Sequence, residues 1–257
     1  MAGQDACDSE GSVPAPPSAT ANVGVLKGGA GLAKREVGRL YTAARAVLVP
    51  SFRFLWRIEV DGLEHVPDFG PAIVAPNHVS VLDSFFVPVV LPRRITYVGK
   101  AEYLDSWKTK HLFPAIGMIP IDRSNSVASA LALDVAVEVL ERGELFGIFP
   151  EGTRSRDRLL HKGRTGVARL ALRTGAPLVP VGIVDTDRIQ PPGASVPRPF
   201  RRCVVRFGRP INVEPYLKRK GAAVYRQLTD ALMYEISQLS GQQYVDRYAD
   251  RPSTSRS

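Results

Sequence analysis

The chain has 257 residues, 44% hydrophobic and 23% charged, and its 34 Lys and Arg against 25 Asp and Glu give a formal charge of +9. These are the proportions of one sizeable soluble-type globular core. Two cysteines, Cys7 and Cys203, make neither a disulfide framework nor a metal-ligand spacing, so no metal site and a reducing compartment are expected. The opening residues lack the basic-then-apolar order of a secretory signal, and no apolar run approaches the roughly 18 residues of a spanning helix.

Residues 1–33 are rich in Gly, Ala, Ser and Pro with few large apolar groups, the composition of a disordered tail. Residues 1–22 hold Asp5, Asp8 and Glu10 and no base, which leaves the rest of the chain at +12. So basic a body suits nucleic acid, anionic lipid or a phosphorylated substrate.

In residues 34–57, Leu40, Tyr41, Ala44, Val47 and Leu48 recur at near-helical spacing, and Phe52, Phe54 and Trp56 follow. Arg39, Arg45, Arg53 and Arg57 sit among them, and Pro50 should interrupt or kink a helix here. Interleaved rings and guanidiniums fit a segment lying in a membrane interface. They fit an amphipathic helix packed on the domain equally well.

From residue 58 to 240 apolar runs alternate with helical patterns. Strands are expected at 55–60, 72–76, 95–99, 117–121, 145–149, 178–184 and 203–208. Helices are expected at 82–90, 103–112, 126–142, 163–174 and 221–240. The third of these is well marked, with Asn125 or Ser126 as cap and Gly143 as stop. The alternation predicts a layered α/β domain with a mostly parallel sheet flanked by helices. Residues 241–257 read as a C-terminal tail.

Ligands of open α/β sheets collect at the carboxyl ends of strands, and four such ends stand out. The run Ala72–Pro76 is followed by Asn77-His78-Val79-Ser80-Val81-Leu82-Asp83. A histidine there, with a carboxylate five residues on in the first turn of a helix, suits a general base oriented by an acid. Ser80-x-x-Asp83 is also a plain helix cap. A second run, Gly117–Ile121, ends in Asp122-Arg123, where a guanidinium could hold a phosphate or pair with its neighbour. The third, Leu145–Phe149, runs into Pro150-Glu151-Gly152-Thr153-Arg154-Ser155 and then Arg156, Arg158, Lys162 and Arg164, with Asp157 the only acid. That loop is either an anion site or a solvated charge run. Glu151 would repel a phosphate, so it should serve a hydroxyl or orient an arginine. The fourth, Leu178–Ile183, offers an apolar wall.

In this order and at these separations the four blocks resemble the glycerolipid acyltransferase family typified by bacterial 1-acylglycerol-3-phosphate acyltransferase, over roughly residues 58–215. The resemblance implies His78 as general base, Asp83 as its orienting partner, and Arg123 with Glu151, Gly152, Thr153 and Arg154 as the acceptor-phosphate site. Lys100 falls where the family often carries a further base. It also implies acyl transfer to the sn-2 hydroxyl of lysophosphatidic acid without a cofactor, from acyl-CoA or acyl carrier protein. The expected place of action is the cytoplasmic face of the cell membrane, held peripherally on anionic lipid. Another lysophospholipid or a glycolipid as acceptor stays open, as does a basic lipid-binding or nucleic-acid-binding module without catalysis. Nucleic acid is the less expected partner, because the aromatics precede the domain instead of alternating along a basic groove.

Overall fold

A computed structural model of the chain describes residues 30–100, 117–121, 126–219 and 221–250. Two compact units are defined, 1–36 and 37–257, and the account below concerns the second. Strands of three to seven residues build a seven-stranded sheet: β1 (Arg57–Asp61), β2 (Ala72–Pro76), β3 (Ile95–Lys100), β4 (Met118–Ile121), β5 (Leu145–Gly147), β7 (Leu178–Val184) and β8 (Arg202–Phe207). Its order is β1-β8-β7-β2-β5-β3-β4, parallel throughout except where β7 meets β8. The helices are α1 (Ala30–Leu55), α2 (Asp83–Val90), α3 (Ser126–Glu141), α4 (Gly166–Thr174), α5 (Thr186–Ile189), α6 (Glu214–Leu217) and α7 (Ala222–Ser240).

Every residue of β2 is buried, which is why this strand reads as an unbroken apolar run and not as an alternation. Ala72 and Val74 face a cluster with Phe85, Phe86 and Leu91 of the α2 region. Ile73 and Ala75 face a second cluster formed with Leu140, Leu170, Leu228 and Leu232 of α3, α4 and α7. Burial on both faces makes β2 the spine of the sheet, each large side chain packed there contributing about 1.5–3 kcal/mol.

Several local expectations need correction. Helix α1 starts at Ala30, inside the stretch read as tail, and continues through Pro50; just past the proline Ser51 Oγ donates to Val47 O at 2.8 Å. Its end is held by packing that the local sequence does not reveal. Phe52 and Trp56 are buried and meet Phe86 edge-on at centroid distances of 5.4 and 5.7 Å. Arg45 spends its guanidinium on the carbonyls of Pro88 and Leu91 at the end of α2, the electrically negative end of a helix. Two rings and one arginine of the expected lipid-facing set therefore belong to the fold, whereas Phe54 remains 77% exposed.

Residues 241–250 are likewise not a frayed tail. Tyr244–Val245 forms β9, which pairs in parallel with β6 (Leu160–His161), and Ala249 is buried. The chain between β5 and α4 is thus strand and loop, and α4 begins at Gly166, three residues later than the apolar pattern indicates. The expected helix 103–112 lies outside the described residues.

Candidate active site

Strands β5, β2 and β7 are neighbours and parallel, so the loops leaving their carboxyl ends meet at one edge of the sheet. The loop after β2 carries His78. The first turn of α2 carries Asp83, which is wholly buried. Asp83 Oδ2 accepts from His78 Nδ1 at 3.0 Å and from the Val79 and Ser80 amides at 2.8 Å each. Its Oδ1 accepts from Thr186 Oγ1, the first residue of α5 just past β7, at 2.5 Å. One carboxylate thus fixes both the imidazole and the backbone that carries it. The expected Ser80 cap does not form: the residue flanking α2 is Leu82, with no side-chain cap, and Ser80 Oγ accepts the Leu82 N–H at 3.3 Å while the Ser80 N–H donates to Asp83 Oδ2.

With Nδ1–H donated to Asp83, the His78 tautomer leaves its lone pair on Nε2, which bonds to none of the described residues. The ring is 14% exposed, so this nitrogen can be reached. Phe149 stacks on the imidazole with centroids 3.9 Å apart and planes at 17°, and Tyr97 stacks on Phe149 at 5.7 Å. Gly147 makes that stack possible, because a Cβ there would stand 2.0 Å from the Tyr97 ring.

The loop after β5 clamps the His78 backbone from both sides. Glu151 Oε1 accepts the His78 N–H at 3.1 Å, and the Ser155 N–H donates to His78 O at 2.7 Å. Glu151 Oε2 accepts the His161 N–H at 3.0 Å. Gly152 closes the turn at φ 75°, a left-handed backbone that a side chain would strain, and its N–H donates to Phe149 O. Burial lifts the Glu151 carboxyl from 4.5 to about 8, against its two backbone bonds, with the charges of Asp83 and Asp157 adding to the rise. Each oxygen therefore serves a backbone amide, and the group is mostly neutral near pH 7. This removes the repulsion that a charged glutamate would offer a phosphate.

A pH effect follows. The folded chain holds a proton on Glu151 that the unfolded chain releases above about 4.5. The stability is fully present below the unfolded value and is lost as pH rises through about 8, with a slope of up to about 1.4 kcal/mol per pH unit. Glu151→Gln should flatten that slope in denaturant titrations run between about pH 5 and 9. It should start from a lower stability, because an amide NH2 cannot accept the second N–H. An unchanged slope rules Glu151 out as its source.

Of the other residues named from sequence, Thr153 and Arg154 are half-buried beside this turn and Gly152 is exposed. Lys100 closes β3, with its backbone in register with Ile121; its side chain, and Arg123 altogether, lie outside the described residues. Sequence reasoning passed over Thr186, Gln242 and the role of Asn77. Asn77 Nδ2 and Oδ1 bond Ile183 O and N at 2.9 and 2.6 Å, and Nδ2 also reaches Gln242 Oε1 at 2.7 Å. Gln242 Nε2 continues to Arg158 O at 2.8 Å. Thr186 and Gln242 carry no local signal, since each acts only through a partner far away in sequence.

The pattern of the Acyltransferase family matches residues 57–184. The chain is 34% identical over 160 residues to a 1-acyl-sn-glycerol-3-phosphate acyltransferase of Limnanthes douglasii, covering 62% of this chain and 56% of the relative. It is 29% identical over 140 residues to a chloroplastic 1-acyl-sn-glycerol-3-phosphate acyltransferase of Arabidopsis thaliana, covering 54% and 39%. The chain thus spans between about two fifths and about three fifths of the length of these curated relatives. The fold is shared with the 1-acyl-sn-glycerophosphate acyltransferase PlsC of Thermotoga maritima, at a TM-score of 0.61 and 21% identity over 80% of this chain and 82% of that one. The matched segment runs from β1 to the end of β7 and contains His78, Asp83 and Glu151, and through it the chain belongs to the acyltransferase family.

Proposed function

We propose that the chain transfers a fatty acyl group from a thioester to the sn-2 hydroxyl of 1-acylglycerol-3-phosphate, giving phosphatidic acid. The observation that carries this reading is the His78–Asp83 pair, with Nδ1 held at 3.0 Å and Nε2 left available, in a chain whose relatives bear that activity in their names. Nε2 takes the hydroxyl proton as the oxygen attacks the thioester carbonyl. The carbon–sulfur bond then breaks, and the imidazolium returns the proton to the departing thiolate. Asp83 stabilises the imidazolium between those two events. Cys203 supports a mechanism without an acyl-enzyme, since it is buried and burial pushes its thiol up to about 12.

In this reading Arg123, Arg154 and Lys100 hold the acceptor's phosphate beside His78, so that its hydroxyl attacks as if intramolecularly. No helix among the described residues is long and apolar enough to cross a membrane. We place the protein peripherally on the cytoplasmic face of an anionic membrane. Phe54 and Phe200, 77% and 68% exposed, touch edge-on, and Arg53 and Arg57 are exposed nearby. That surface pairs apolar rings with positive charge.

The test is release of free thiol from acyl-CoA or acyl carrier protein on addition of lysophosphatidic acid to the purified protein. Arg154→Ala should raise the apparent KM for this acceptor by roughly tenfold or more, the worth of a charge-assisted bond to phosphate, and change kcat less. No thiol with any lysophospholipid, while vesicles still bind, overturns the enzyme reading. An unchanged KM in Arg154→Ala points to an acceptor lacking the phosphate monoester.

A further inference from the structure

A cleft of about 660 Å³ opens beside the His78 loop, with Val79 and Ser155 in its wall. Val79 adjoins His78, and the Ser155 N–H is bonded to His78 O. Six arginines and only two acids line the cleft. Asp187 engages Arg158, Asp185 engages Arg188 at 3.0 Å, and Glu59 from outside engages Arg202. Arg156, Arg198 and Arg201 form no ion pair among the described residues.

The positive charge is held by an anchored framework. The Arg198 N–H donates to Ile189 O and its carbonyl accepts from Trp56 Nε1, both at 2.8 Å. The Arg201 carbonyl accepts the Arg57 N–H at 3.0 Å. Three non-glycine residues have a left-handed backbone among those described: Arg158, Asp185 and Phe200. Two line the cleft, and the third precedes Arg201. Strain of this kind persists where the surrounding structure holds it, and it gathers at binding sites.

We propose that this cleft binds the phosphates of a nucleotide-bearing thioester donor of the coenzyme A type, with Arg156, Arg198 and Arg201 as their ligands. The assignment rests on the acyl-transfer reading and settles which donor that reading uses. Two anionic substrates need two anion sites, and Arg154, named for the acceptor, does not line the cleft. A volume of about 660 Å³ lies within the roughly 300–1,000 Å³ of small-molecule pockets. Guanidiniums around a concavity walled by Pro191 and Pro192 suit a compact group with several phosphates. A carrier protein's acidic helix would need a broad face instead. Planar guanidinium forks engage phosphate oxygens in pairs, and the position beside Val79 lets a pantetheine arm run from the cleft to His78.

The experiment is calorimetric titration of the purified full chain with coenzyme A, without acceptor or lipid. The parent protein should bind, and removing the ligand's 3′-phosphate should weaken that binding. Arg198→Ala/Arg201→Ala should weaken it by roughly tenfold or more. Arg156→Ala, on a separate loop, should act in the same direction. Arg209→Ala removes an exposed charge outside the cleft and should leave binding unchanged. In turnover, the double variant should raise the KM for acyl-CoA and spare the KM for lysophosphatidic acid. Parental affinity in the double variant overturns the proposal. So does a rise in the acceptor's KM instead of the donor's, or use of acyl carrier protein by a chain that does not bind coenzyme A. Binding through these arginines without thiol release in any assay leaves the cleft assignment standing and refutes the acyl-transfer reading.

Discussion

His78→Ala is expected to lose about 10²–10⁴-fold in turnover, the usual range for a positioned general base, while remaining folded. Asp83 fixes the tautomer of the His78 imidazole and leaves a basic nitrogen on a partly exposed ring, whereas His161, paired with Asp157, has its unbonded Nδ1 buried. Its removal leaves Asp83 with the Val79 and Ser80 amides and Thr186, so the loop keeps its hydrogen bonds. The lost stacking on Phe149 is partly exposed and should lower stability only modestly. The measurement is kcat on purified variant with lysophosphatidic acid and acyl-CoA, alongside a thermal unfolding midpoint. A folded variant with near-parental turnover removes His78 from the mechanism.

Asp83 should show a sharper division between fold and chemistry. Asp83→Ala leaves two backbone N–H groups, the Thr186 hydroxyl and the imidazole N–H without their acceptor in a site with no solvent contact at the carboxylate. Each orphaned buried donor costs about 1–3 kcal/mol, and domains are stable by only about 5–15 kcal/mol, so the variant should be badly destabilised. Asp83→Asn can keep every bond. Its Oδ1 can take the three N–H donors while Nδ2 donates to Thr186 Oγ1, which rotates to accept. What goes is the negative charge facing the imidazolium. A charge-assisted bond is worth about 1.5–3 kcal/mol, which corresponds to a rate loss of roughly ten- to a hundredfold. Denaturant midpoints and kcat on both variants test the split. An Asn variant as unstable as the Ala variant, or as active as the parent, contradicts it.

Much of this was legible in the sequence where the physics is local. The runs Ala72–Pro76 and Leu178–Val184 are strands because both faces are buried, and continuous apolar sequence reports that directly. The spacing of His78 and Asp83 was legible for the same reason, since a helix starting at Asp83 returns its carboxylate to the preceding loop. The sequence points to Glu151 but not to its bonds. Only the fold buries it and gives its two oxygens to amides from different loops. Phe52 and Trp56 misled for a related reason, because ring-and-arginine composition is the same for a membrane face and for a helix docked on α2. Thr186 and Gln242 left no local trace. Their bonds to Asp83 and Asn77 cross more than a hundred residues of chain, and no periodicity encodes such a meeting.

The docked segment after α7 has a consequence for how the molecule is made. Gln242 bonds Asn77 Nδ2 and the Arg158 carbonyl, and β9 supplies the partner of β6 beside the Glu151 clamp. During synthesis, strands β2, β3, β4, β5 and β7 can pair while the ribosome is still adding α7, with β1 waiting for its partner β8. The loops that hold His78 gain their final brace only after residues 242–245 have left the exit tunnel. Folding from the amino end would therefore give a packed sheet with an unbraced His78 loop first, and the brace would follow with residues 242–245.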